Sequence, residues 1–491
     1  MIESRFFARY GYGARARAAW RGGLLGVVIA LAACDLEVTN PSKIPSTALE
    51  DPQFVHSVVI GAASDVAYAA TVPSYGGVFV IGSLLSDELV ATDTRVGPRL
   101  MSDGVVRDDI AEAQSWWGYF ARSHWTSENA VDRARRLLPD PDSQPDVAIA
   151  DVWAGYANRI GGDNFCQAVV DGGPLEPSTV YFERAVDYFT DAIAVASAAG
   201  IDSLVTAAYA GRAQANMMLG RWDDAVVDAR RVPTDFAFWI DNSTSGRNLN
   251  RWWTYGRSTD GRYTVWGTPF LEWGVDYNGD RNVGDPRVSW ELKKEGADTL
   301  VGVDGRRPWV ALRKYLSTSA DVPLAKGSEM RLIAAEAELV AGNWSAAIDS
   351  INALHAYLNA NHPSAWGTNR LADVAATGES EAWVALMKER GAELWLEGRR
   401  LPDLRRWAVT PGKANVPFTK VRKATNSPHA SDDPWVSVYD ANTDLCFAVS
   451  LNEKLSNPNI PDDIPPGGLP PDDGTDPSDI RRTPAFGAWQ P

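Results

Sequence analysis

Cysteine, histidine, basic charge and long apolar runs are all scarce in this 491-residue chain, which has three Cys and five His. The histidines (His56, His124, His355, His362 and His429) never fall at a two-His helical spacing, and no C-x-x-C occurs. That leaves no zinc-type ligand signature. There is no G-x-S-x-G elbow and no phosphate-cradling glycine loop. Lys plus Arg number 47 against 63 Asp plus Glu, a net charge of −16. A nucleic-acid binder, which neutralises phosphate with basic patches, is thereby disfavoured. Only one stretch reads as a hydrophobic segment, at the N-terminus, so the chain is not a multi-pass membrane protein.

What is present is ordinary for a folded protein in bulk and unusual in detail. Apolar residues are 45% and charged residues 22% of the chain. Twenty Trp, 15 Tyr and 14 Phe would be hard to keep solvated in a disordered chain. The length fits about three domains or one large helical one. Residues 1–21 carry Arg5, Arg9, Arg15, Arg17 and Arg21 against Glu3, and an apolar run leads to Leu31-Ala32-Ala33-Cys34. This is the layout of a secretory signal peptide, and its end resembles a bacterial lipobox. Residues 1–33 are expected to be removed and Cys34 to carry lipid, anchoring the chain to a membrane without spanning it. The mature charge would be about −20. Asp35, Glu37, Glu50 and Asp51 follow, resembling a signal for export to the cell surface. Outside the cytoplasm, the remaining Cys166 and Cys446 read as a disulfide; the alternative is two buried free thiols.

Most of the body has helical periodicity. Phe182, Ala185, Val186, Phe189, Ala192, Ile193 and Ala196 follow the spacing of one buried helix face. Further helices are expected at 116–137, within 205–231 and 328–360, and at 379–397. Two segments repeat: Leu219-Gly220-Arg221-Trp222-Asp223-Asp224-Ala225 and Ala341-Gly342-Asn343-Trp344-Ser345-Ala346-Ala347. Each has the form of a tetratricopeptide-like hairpin turn, in which Gly ends one helix and Trp packs over the turn. They lie too far apart for a regular array. Residues 233–327 lack helical periodicity and are dense in Gly, Asn, Asp and aromatics, reading as a loop-rich insertion with short strands near 261–267 and 307–312. The Pro- and Asp-rich tail, 461–491, reads as extended coil. Asp276, Asn278, Asp280 and Asn282 alternate like a calcium loop, but Arg281 and Arg287 occupy the Gly and Glu positions of an EF-hand, so that reading fails.

The densest charge lies at Glu389 to Trp407. Glu389, Glu393 and Glu397 share a stripe at i, i+4, i+8, a spacing that overlaps that of glycosidase carboxylate pairs. Five arginines stand in the same segment, so an ion-pair network is the stronger reading, and a carboxylate paired with Arg makes a poor general acid. The pattern Glu-Arg-x-x-Glu-Leu-x-x-Glu-Gly-x-Arg-x-x-Asp-Leu-x-Arg-Trp resembles the signature of the SusD/RagB family of nutrient-binding outer-membrane lipoproteins. Other matches fall in order: Cys34-Asp35-Leu36, Ser86-Asp87-Glu88, Asn129, Gly161-Gly162-Asp163-Asn164 as a loop after the first hairpin, Asp285-Pro286-Arg287 as a turn before a central strand, Glu329, Arg331 and Glu336 in one helix, and Asn457-Pro458-Asn459. The resemblance implies a mainly α fold of tetratricopeptide-like hairpins backing a variable ligand-binding face, one domain over 34–491. It implies no catalysis and no cofactor, an outer-membrane location, and a SusC-type TonB-dependent transporter as partner. An oligosaccharide is the expected ligand, a peptide the first rival, and a secreted helical glycoside hydrolase the rival from another class. Among the aromatics, Trp252, Trp253, Tyr255, Tyr263, Trp266 and Trp273 are the expected ligand platform.

Overall fold

The computed structural model describes residues 49–245, 247–258, 261–277, 284–409 and 445–461. The signal peptide, Cys34, the centre of the calcium-like alternation and the tail from 462 lie outside the described residues. From Glu50 onward the chain forms one compact unit. It is mainly helical, as the periodicity implied.

Antiparallel helical hairpins make the body. Ala111–Leu137 folds back on Pro145–Asn164, Thr179–Ala198 on Asp202–Met218, and Gly327–Val340 on Trp344–Ala360. The two repeated turns behave alike. Gly220 and Gly342 have φ of 71° and 82°, the left-handed region glycine enters without a Cβ penalty. The next residue then closes back on the helix it leaves: Arg221 N–H donates to Asn216 O at 2.9 Å, and Asn343 N–H to Glu338 O at 2.8 Å. These are Schellman closures of the orphaned last carbonyls. Trp222 and Trp344 each begin the following helix, and Ala225 and Ala347 are wholly buried where the helices cross.

Among the helices not anticipated are the first two α-helices of the described chain. Val55–Thr71 packs on Ala111–Leu137 and Pro145–Asn164. With the residues just before it, it is long and apolar enough to cross a membrane, but Val55, Val59, Ala62 and Val66 are spent in the protein core. Pro73–Leu85 follows it, broken at residues 74–77. A third difference concerns Gly161-Gly162-Asp163-Asn164, expected as a loop. These residues are the buried last turn of Pro145–Asn164. A Cβ on Gly161 would lie 2.6 Å from the Phe120 ring, and one on Gly162 2.6 Å from the Phe182 ring. The glycines here admit aromatic neighbours rather than turning the chain.

The insertion has a closed base. Ala237–Ile240 and Val322–Lys326 pair antiparallel, with Val322 opposite Ile240. Within it, Asp285–Leu292 is the centre of a three-stranded sheet, parallel to Gly274–Asp276 and antiparallel to Val310–Leu312. Asp285-Pro286-Arg287 thus starts a strand rather than preceding it. Tyr263–Thr264 pairs with Val90–Ala91, tying the insertion to the segment after the broken helix. The closing segment returns to the first hairpins. Cys166 and Cys446 are joined, with Cα atoms 5.1 Å apart, a separation ordinary for a bridge. Beside them Phe447 N–H donates to Asn164 O and Cys166 N–H to Phe447 O.

Candidate functional site

Two charged regions could carry chemistry, and they differ in what their side chains touch. The first is the acidic stripe. Glu389 and Glu393 are one turn apart near the end of Glu379–Glu393; Glu397 is not on that helix but in the turn after it. Arg287 bonds both Glu389 oxygens and reaches Glu393 at 3.2 Å, while His355 lies 2.9 Å from Glu389. Lys326 bonds Glu393 at 3.0 Å and Glu397 at 2.9 Å, and Ser328 donates to Glu393 at 2.6 Å. Burial pushes the Glu389 and Glu393 carboxyls up. The cations and donors around them, Arg287 and His355 at one and Lys326, Arg287 and Ser328 at the other, outweigh it and hold both down at about 2. Neither can hold a proton near neutrality, as a general acid must.

The arginines complete the network. Asp403 takes two bonds from Arg390 at 2.8 Å and one from Arg406 at 2.9 Å. Arg399 bridges Asp163 at 2.6 Å and Glu329 at 3.0 Å; Arg400 grips both oxygens of Asp87 at 2.7 Å. Arg406 and Trp407 converge on Glu336. Arg405 donates to the carbonyls of Gly162, Asp163 and Phe165, groups a helix C-terminus leaves unsatisfied. The signature is therefore a structural clamp joining the first hairpins to the last helices.

The second region is a strip of half-buried tyrosines with arginines laid against them. Tyr68 and Tyr119, from facing helices, meet edge to face at 5.0 Å. Arg247 lies over Tyr68 at 4.4 Å and pairs with Asp65, which also holds Arg122. Arg251 lies over Tyr255 at 5.8 Å, and Tyr255 stands 6.3 Å from Tyr75, whose other neighbour is Arg95 at 3.9 Å. Burial, with Tyr119 alongside, raises the Tyr68 phenol, so it stays a donor at neutral pH. Arg251 Nε and Asn248 Oδ1 are buried without a hydrogen-bond partner among the described residues. Beneath the strip the backbone is strained: Ser74 and Tyr75 have φ of 44° and 77°, a conformation that costs of order 1–3 kcal/mol per residue. Trp116 donates to Ser74 O and Tyr263 to Tyr75 O, and these buried donors pin the strained turn.

The expected platform divides accordingly. Trp252 and Tyr263 are wholly buried, which removes them as ligand-facing groups. Trp252 stacks on Tyr315 at 5.4 Å and donates to Ser83, since an indole in the core needs both a packing face and an acceptor. Tyr255 is in the strip. Trp253 and Trp266 are half-buried and pack against the main core. Trp273 packs on Phe270 at 4.9 Å beneath Lys388. The structure does not gather these three with Tyr255. Tyr68, Tyr75, Tyr119, Arg247 and Arg251 were not anticipated. Tyr68 and Tyr119 sit on helices, where periodicity alone assigns aromatics to the core.

Residues 276–459 match the SusD family. That match covers the C-terminal part of the chain, and the fold as a whole is the one seen in solved SusD superfamily proteins. Solved structures share this fold over most of the chain's length. A SusD-like protein from Bacteroides fragilis is 13% identical, with a TM-score of 0.60, covering 85% of this chain and 99% of its own. A SusD superfamily protein from Bacteroides vulgatus is 12% identical, with a TM-score of 0.59, covering 84% and 98%. A SusD-like carbohydrate binding protein from the same species is 14% identical, with a TM-score of 0.58, covering 84% and 97%. No curated protein matches. The matched region contains the ion-pair clamp; the tyrosine strip draws mainly on residues before it.

Proposed function

We propose that this chain is a SusD/RagB family member, a lipid-anchored, outward-facing binding subunit that captures oligosaccharides and passes them to a SusC-type TonB-dependent barrel in the outer membrane. The observation that carries the ligand class is the strip of Tyr68, Tyr119, Tyr75 and Tyr255 interleaved with Arg247, Arg251 and Arg95. Aromatic faces offer apolar platforms to sugar C–H groups, and adjoining guanidinium and phenol groups reach hydroxyls. A relative of the same fold is a carbohydrate binding protein. The lipobox-like end at Cys34 supports anchoring. An anchored chain is concentrated near any partner in the same membrane.

Catalysis has no support. The acids of the stripe are each held by cations, as a glycosidase acid is not. The test is calorimetry with panels of oligosaccharides and of peptides, with product analysis, and gentle detergent extraction from the native membrane. Saccharide binding without cleavage and co-extraction of a large β-barrel protein are the expected results. Peptide binding alone would shift the ligand class; shortened saccharides would revive the hydrolase; extraction of the protein by itself would count against the transport partnership.

A further inference from the structure

On the three-stranded sheet of the insertion, three cations converge on one carboxylate. Glu291, from the central strand, is nearly buried. Arg313 bonds it at 2.6 Å, Arg257 approaches at 3.4 Å, and Lys293 makes a close contact. Each cation comes from a different place in the chain, and backbone bonds fix each one. Arg313 N–H donates to Ser289 O at 2.8 Å and Lys293 N–H to Trp309 O at 3.0 Å; Arg257 Nη1 donates to Leu312 O at 3.2 Å. Glu291 is the carboxylate that all three share, and none of them pairs with another among the described residues. Three positive charges on one negative charge leave a local excess of cation in a chain of net charge −16.

The surroundings are aromatic. The Arg313 guanidinium carbon lies 3.3 Å from the centroid of the Tyr277 ring, which is 59% exposed. That contact holds the guanidinium against the ring, and of its nitrogens only Nη1 has a hydrogen-bond partner among the described residues. Nε and Nη2 keep their hydrogens for another acceptor. Lys293 lies 5.6 Å from the Trp309 ring. A planar fork with an unused edge beside an open ring suits an anionic oxygen pair carried on an apolar-faced ring.

We infer that Arg257, Lys293 and Arg313, set around Glu291 beside Tyr277, form an anion-recognition site, and that the captured oligosaccharide bears a carboxylate or sulfate group. This rests on the oligosaccharide reading above and names the ligand's charge. Arg257 ends the same short segment that carries Arg251 and Tyr255, so the site adjoins the tyrosine strip along the chain.

The probes are tetragalacturonate, its fully methyl-esterified form, a heparin tetrasaccharide and inorganic sulfate. The ester removes the charge of each carboxylate at the cost of one added methyl group. The acid or the heparin fragment should bind at least roughly tenfold more tightly than the ester, and Arg313→Gln should remove about that factor, bringing the acid's affinity down to near the ester's. Lys293→Gln, on a more exposed side chain, should give a smaller loss and guards against misfolding of the first variant. Preference for the acid assigns a carboxylate, preference for the heparin fragment a sulfate. Sulfate should also shift the Nε–Hε resonance of Arg313 in wild type. If no saccharide binds but sulfate gives that shift, the anion site stands and the oligosaccharide reading falls. Equal binding of acid and ester, or absence of the sulfate shift, overturns the inference.

Discussion

The clamp at 389–407 and the insertion surface at 247–313 are both rich in charge, yet they use it in opposite ways. In the clamp, carboxylate and guanidinium groups are matched and buried: Arg390 with Asp403, Arg399 with Asp163 and Glu329, Arg400 with Asp87. On the surface the cations are incompletely answered in charge, three of them sharing Glu291; single buried atoms lack a bond in both regions, Arg251 Nε in one and Arg390 Nη1, Arg399 Nη2 and Asp163 Oδ1 in the other. A matched buried network specifies how elements join, because every unpaired alternative leaves a desolvated charge. An incompletely answered one leaves capacity for a ligand. Charge density alone therefore does not mark a binding site; the number of partners per charge does.

The comparison breaks most sharply at Arg399. Arg399→Ala leaves buried Asp163 with Arg159 alone and buried Glu329 with only Arg390, at 3.7 Å, and should cost about 3 kcal/mol or prevent folding. Chemical denaturation measures it, and a loss below about 1 kcal/mol would mean the clamp is not a structural joint. Trp252 tests which side of the divide an insertion aromatic falls on. Trp252→Ala should lose about 3–5 kcal/mol of stability by emptying a core site. Saccharide affinity of the folded fraction should be unchanged; weakened affinity at intact stability would return Trp252 to the ligand face.

Gly398 should be nearly as sensitive. Its φ is 70°, and an added Cβ would lie 2.4 Å from the Phe79 ring. Gly398→Ala combines a left-handed penalty with overpacking, together about 2–4 kcal/mol, read as a lowered denaturation midpoint.

The clamp should also give the protein a two-sided pH profile. Glu389, Glu393 and Asp403 titrate near about 2 in the fold. Their stabilisation is present above the ordinary carboxylate range and is lost as pH falls toward 2. Glu88 works in the opposite sense. Burial raises it to about 7 against the Leu396 amide it accepts from. The native state keeps a proton that the unfolded chain releases above about 4.5, so stability falls between about pH 4.5 and 7. Glu88→Gln keeps the acceptor and should reduce that decline by about 3 kcal/mol across the window; the rest belongs to Asp151, which burial also raises to about 7. A decline unchanged in the variant would exclude Glu88 as its source.

The smallest effect belongs to the surface. Tyr255→Ala or Arg251→Ala should weaken saccharide binding about fivefold, near 1 kcal/mol, with little change in stability. Calorimetry beside a melting curve separates the two; a large stability loss with unchanged affinity would place the strip with the clamp.

The sequence by itself determined the helical hairpins, the two Gly–Trp turns, the loop-rich insertion and the family of the 389–407 segment. These depend on local periodicity, on a left-handed residue at a fixed offset, and on residue order, all of which are one-dimensional. Even the excess of arginine over free acid in 389–407 was enough to read a network there. Tertiary structure alone decided that Glu397 leaves the helical stripe, and that Gly161 and Gly162 lie inside a helix against Phe120 and Phe182. It also decided that Trp252 and Tyr263 are buried while Tyr68 and Tyr119 face outward beside Arg247. An aromatic side chain has the same composition whether it fills a core or lines a surface. Which of these it does is set by neighbours more than a hundred residues away, such as Ser83 for Trp252 and Tyr75 for Tyr263. No local pattern encodes contacts at that separation.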